Sequence, residues 1–114
     1  MERKELEVFS KATNTAIIRA PGRKFPGVLI QGDALSNFFS DAMVLVEALS
    51  DSKDEELFFT ALSMAERLEG HLLHYEQVLG EQGIQLPYFR DMGRTTKKYE
   101  HRWKHDKGDA PKDV

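Results

Sequence analysis

The sequence predicts an α+β fold in which a small antiparallel sheet of about three strands packs against two helices, the second one long. Three observations predict it. Short β-branched and alternating runs are confined to the positions before Gln31, two long stretches with helical apolar spacing follow, and Pro-Gly pairs punctuate the junction between them. The 114 residues, 40% hydrophobic and 10% aromatic, suffice for one core, and the 31% charged content reads as a solvated surface.

Glu5-Leu6-Glu7-Val8-Phe9 alternates polar and apolar residues as a half-buried strand does, and Thr15-Ala16-Ile17-Ile18-Arg19 is a second β-branched run. The polar segment from Ser10 to Asn14 joins them as a hairpin. Pro21-Gly22 breaks the second strand, Pro26-Gly27 marks a further turn, and Val28-Leu29-Ile30 forms a third short strand. The apolar segment Ile84-Gln85-Leu86-Pro87-Tyr88, after the helices, either returns to this sheet or covers the core.

Asp33 is the expected N-cap of the first helix, its carboxylate taking a free amide of the first turn. Leu35, Phe38, Phe39, Ala42, Val46 and Leu49 then recur at helical spacing, with Met43 and Leu45 widening the face. Ser52-Lys53-Asp54-Glu55 fits a capping box for the second helix. Its stripe of Phe58, Ala61, Leu62, Ala65, Leu68, Leu72, Tyr75 and Leu79 runs to about Gln82, where Gly83 suits the left-handed closing position. At 1.5 Å per residue this helix is roughly 43 Å long. Such a length predicts either a bend at Gly70 or an overhanging half that docks on another chain as a homodimer.

Charge divides the chain. Residues 1–88 carry 8 Lys+Arg against 14 Asp+Glu, and residues 89–114 carry 8 against 5. The expected organisation is therefore a single α+β domain over 1–88 and a basic, flexible C-terminal tail over 89–114. The acidic body favours encounter with a basic partner. With no cysteine, disulfides, thiolate nucleophiles and Cys-based metal sites are excluded. With no signal peptide and no apolar run of membrane-spanning length, a cytoplasmic location without membrane contact is expected.

Gly22, Gly27 and Gly32 stand five residues apart, and Gly22 to Gly27 has the outer spacing of a phosphate-binding P-loop. Val28-Leu29 follow where that loop needs a lysine and a hydroxyl, so nucleotide binding is not supported. Two tight turns explain the segment, and they present Arg23, Lys24 and Phe25 outward as a contact surface. The His71/His74 and His101/His105 pairs have ligand-like spacing but lack H-E-x-x-H, and no metal or other cofactor is expected. No G-x-S-x-G and no fixed pair of facing acids is present, so no enzyme is expected. Glu66, Glu69 and Glu76 are assigned to the polar side of the long helix. Five acids interrupt the basic tail with its Tyr99 and Trp103, and nucleic acid is not expected as a partner.

The pattern P-G-R-K-F-P-G-V-L-I-Q-G-D-A-L, together with Leu86-Pro87-Tyr88, resembles a family of short bacterial proteins of unknown function. The resemblance covers about residues 4–88. It implies a soluble bacterial protein and carries no catalytic residue. By class, small cysteine-free cytoplasmic bacterial proteins with an acidic body include immunity proteins, which neutralise a toxin by binding it. The expectation is a non-enzymatic protein-binding protein of that kind, with a basic toxin domain as partner and Arg23, Lys24, Phe25, Glu66, Glu69 and Glu76 as contacts. A small-molecule or nucleotide sensor and a self-associating structural module are the alternatives.

Overall fold

The computed structural model describes residues 2–10, 15–91 and 93–103. It has an α+β fold. Three strands, β1 (Glu7–Ser10), β2 (Thr15–Arg19) and β3 (Gly27–Ile30), precede α1 (Gly32–Leu49) and α2 (Glu55–Gln82), and a 3₁₀ turn at Thr95–Tyr99 leads into a helical turn through residue 103. The expected β1–β2 turn lies largely outside the described residues.

The sheet is an antiparallel meander in the order β1-β2-β3. Thr15, Ala16, Ile17 and Ile18 of β2 stand opposite Ile30, Leu29, Val28 and Gly27 of β3. Between β1 and β2 the register shifts at Val8/Ser10, so Phe9 is the extra residue of a bulge. The Arg19 guanidinium bonds Glu7, its opposite number across the strands, and lies 5.5 Å from the centre of the Phe9 ring. Beyond β2, the Arg23 amide donates to the Ala20 carbonyl at 3.1 Å, closing a turn that Gly22 makes possible with its φ of 79°.

Both helices run close to their expected spans but start differently. The N-cap of α1 is Gln31, in extended conformation, and Asp33 lies inside the first turn with its carboxylate accepting from the Ala34 amide at 2.8 Å. There it still complements the positive end of the helix dipole. The expected capping box at Ser52 is replaced by Asp54, which accepts from the Leu57 amide at 3.0 Å, while the Ser52 hydroxyl accepts from the Asp54 amide. Asp54 stands closer to the orphan amides, and its charged acceptor wins over a hydroxyl. At the far end Gly83 adopts φ 69° and closes the 28-residue α2 as expected.

The core joins Phe39, Ala42, Met43 and Val46 of α1 to Phe58, Ala61, Leu62, Ala65 and Leu72 of α2, and Tyr88, Tyr99 and Trp103 pack against it. Among the described residues no strand residue belongs to it. The α+β arrangement of a three-stranded antiparallel sheet and two helices, the second long, is as expected, and the core itself is built where the apolar stripes of α1 and α2 meet each other and residues 88–103. α2 is one continuous helix through Gly70, and its C-terminal half lies against Tyr88 and Arg90 of its own chain. Among the described residues no helix is long and apolar enough to cross a membrane.

One glycine has a steric explanation. Gly32 is buried where α1 begins, and a Cβ there would lie 2.2 Å from Cζ of Tyr75 on α2. The Tyr75 ring is itself stacked on Tyr88, with centroids 6.4 Å apart. We therefore expect Gly32→Ala to lower unfolding free energy by about 1–3 kcal/mol, the usual cost of overpacking. Urea unfolding of Gly32→Ala and of Gly32→Ala/Tyr75→Leu checks this, with the second change recovering part of the loss.

Candidate functional site

Two clusters bring together the residues singled out from the sequence. The first is the corner between β2 and β3. Phe25 is 73% exposed, and the Lys24 ammonium sits 5.3 Å from its ring centre. Arg19 reaches the Lys24 carbonyl at 3.4 Å, a weak bond, and Arg23 and Lys24 are both exposed. Ile18, Ala20, Arg23, Phe25, Gly27 and Val28 line an open concavity of about 350 Å³. The corner leads onto the sheet, where Leu6, Val8, Phe9, Val28, Leu29 and Ile30 are all exposed. In β2 and β3 the apolar residues are consecutive, so they populate both faces, the pattern of strands that are covered on both sides.

The second cluster shows that Glu66, Glu69 and Glu76 do not form a free acidic face. Each holds the segment that follows α2. Glu69 is only 1% exposed, and its carboxylate accepts from the Thr96 hydroxyl at 2.7 Å, the Thr96 amide at 3.0 Å, Arg90 at 2.9 Å and the Thr95 amide. Glu76 takes Arg90 in a bidentate pair at 2.7 and 2.8 Å and also accepts from the Tyr88 hydroxyl at 2.8 Å. Glu66 accepts from the Trp103 indole at 3.0 Å, with Arg94 at 3.9 Å. The assignment of these three as partner contacts on an open helix face is therefore corrected for geometry: the chain's own cations and amides occupy them.

The described part of the expected tail, through Trp103, is docked rather than separate. Electrostatics explains why. Residues 31–88 hold most of the acids and only Lys53 and Arg67 as cations, so Arg90, Arg94, Lys98 and Arg102 find carboxylates and carbonyls on the helices. Arg102 donates to the Ser50 carbonyl at 3.0 Å and lies 4.1 Å above the Phe58 ring, and Trp103 packs at 4.6 Å against Phe59. Residues 104–114 lie outside the described residues, and with them the basic end of the tail and His105.

Protonation follows this geometry. Burial pushes the Glu69 carboxyl up, but the Thr96 hydroxyl and the Thr96 and Thr95 amides outweigh it and hold it below its ordinary value of 4.5. Glu76 is lowered chiefly by its bonds from Arg90, against burial, and Tyr88 is raised by burial and by its bond to Glu76. No buried side-chain polar atom among the described residues lacks a partner. A carboxylate with both oxygens filled by donors is a structural anchor, not a free base. Among the described residues no three His, Asp or Glu side chains converge as a metal-holding group.

The position of Glu69 was available in the sequence. It lies four residues after Ala65 and three before Leu72, inside the stripe and not opposite it. Its partner was not, because Arg90 is 21 positions away and no periodicity links them.

Removing one member of such a buried set leaves the others unpaired. Glu69→Ala is expected to cost about 3–5 kcal/mol of unfolding free energy, measured by urea titration. The pH dependence has a definite sign. Below 4.5 the unfolded carboxyls of Glu69 and Glu76 take up protons that the folded ones still refuse, so stability falls as pH drops through and below that value and is fully present above it. Unfolding free energies measured from pH 6 down to pH 3 should show this decline, and Glu69→Gln should make it shallower.

No curated protein and no solved structure matches the chain. A family does: residues 1–88, from the strands to Tyr88, match the family of unknown function DUF6959. The segment that fills the acidic pockets of α2 thus lies almost wholly beyond the matched residues, and the chain as a whole, with 88 of its 114 residues matched, belongs to the family DUF6959.

Proposed function

We propose that the chain is a non-enzymatic protein-binding protein whose contact surface is the exposed sheet and the Arg23-Lys24-Phe25 corner beside it. One observation carries this reading. Among the described residues the apolar side chains of β1 and β3 stay exposed and outside the core, and a contiguous exposed apolar patch next to an aromatic and two cations has the composition of an interface centre. Water-exposed Phe25 and Val28 cost stability that a partner would return.

The finer proposal is an immunity protein, which neutralises a bacterial toxin by direct binding. What supports it is the small cysteine-free chain and the acids that stay exposed on the helices, Asp41, Glu55, Glu56 and Glu81, which favour encounter with a basic partner. In this form the toxin meets the sheet with its apolar anchors and the helices with its cations. Glu66, Glu69 and Glu76 hold the chain together and are left out of the contact.

The test is capture of the partner from the native host by the wild-type chain and by Arg23→Glu/Lys24→Glu/Phe25→Ser. Loss of an anchor of hot-spot weight, at least about 2 kcal/mol, corresponds to roughly 30-fold weaker binding. The three changes are on exposed side chains, so the urea midpoint should stay within experimental error of wild type. A partner that binds the altered chain as tightly as the original removes the corner from the interface. A captured partner that is a basic secreted toxin supports the finer form, and an acidic intracellular protein sinks it.

A further inference from the structure

The outer edge of the sheet at β3 is open in a way that the outer edge at β1 is not. β1 carries Glu7, follows Lys4 and Glu5, and has a bulge at Phe9 that twists the strand, all features that deter pairing with another strand. β3 is Gly27-Val28-Leu29-Ile30, regular in register with β2, free of charge and free of proline. Val28 is 59% exposed, Leu29 39% and Ile30 41%. An uncharged, unbulged, apolar edge strand is a template for another strand.

We propose that this edge pairs with the same edge of a second copy, β3 running antiparallel to β3 about a twofold axis at Leu29, so that two three-stranded meanders become one six-stranded sheet. The sequence of the strand favours a copy of itself over a different protein. With the axis at Leu29, Leu29 faces Leu29 of the second copy, and Val28 faces its Ile30, so each face receives matched apolar pairs. No charge on β3 opposes its own image. Arg23 and Lys24 of the two copies fall at opposite ends of the paired strands, farther apart than the screening length of about 8 Å at physiological salt. The proposal goes beyond the partner-binding reading, and each stands if the other is overturned.

Four residues a side bury less than the roughly 1,200 Å² of a stable interface, so the dimer should be weak and depend on concentration. Light scattering and sedimentation on the full chain, from low micromolar to several hundred micromolar, should show the mass rise from 13.0 kDa toward twice that value. Leu29→Lys and Leu29→Glu, each alone, place like charges opposite each other at the axis and should abolish the rise. An equimolar mixture of the two variants should restore it, which a merely misfolded variant could not do. In hydrogen exchange, amides of Gly27–Ile30 should slow with concentration while those of Glu7–Ser10 do not. A mass of 13.0 kDa throughout, a dimer that persists in both charged variants, or a mixture that stays monomeric overturns the proposal.

Discussion

The carboxylate of Glu69 sits in the middle of the apolar stripe of α2, between Ala65 and Leu72, where a charged group is tolerated only if its full hydrogen-bonding capacity is met. Arg90, Thr95 and Thr96 meet it, and in doing so they determine the path of the chain after α2. Everything from Tyr88 to Trp103 follows from that anchor. Tyr88 and Arg90 close over Glu76, Thr95 and Thr96 begin the 3₁₀ turn at Glu69, and the turn delivers Tyr99, Arg102 and Trp103 onto Phe58 and Phe59. A helical hairpin alone would leave those two rings as its open side.

This division of labour places the described strand residues outside the buried core. A small domain has few apolar stripes, and here α1, α2 and the docked segment satisfy one another. The strands keep apolar residues on both faces, and Val8, Phe9, Val28, Leu29 and Ile30 among them are exposed. Such a sheet holds its shape through its own ladder and cross-strand pairs, the Glu7–Arg19 ion pair among them, and contributes little to the core. Its large apolar side chains, Val8, Phe9, Val28, Leu29 and Ile30, face water.

The elements of the fold were largely legible because they rest on local rules. β-branched runs marked β2 and β3, helical spacing marked α1 and α2, and Gly83 marked the end of α2. Capping was less legible, since Ser52, Asp54 and Asp33 compete for amides within a residue or two and the winner depends on backbone geometry. Packing was least legible. Alternation says which residues of a strand share a face but not what lies over them, so it could not say that Val28, Leu29 and Ile30 stay exposed. The candidate contacts divided in the same way: the Pro-Gly turns do hold Arg23, Lys24 and Phe25 outward, whereas the acids of α2 were bound by cations whose distance along the chain hides the pairing.

The buried carboxylate of Glu69 welds the segment after α2 to the helices. Hydrogen exchange at the Thr95 and Thr96 amides tests it most directly, because both donate to that carboxylate. These two amides should exchange as slowly as those in the middle of α2, opening only when the helices unfold. Exchange of Thr95 and Thr96 at the rate of a free chain, with α2 still protected, would contradict it.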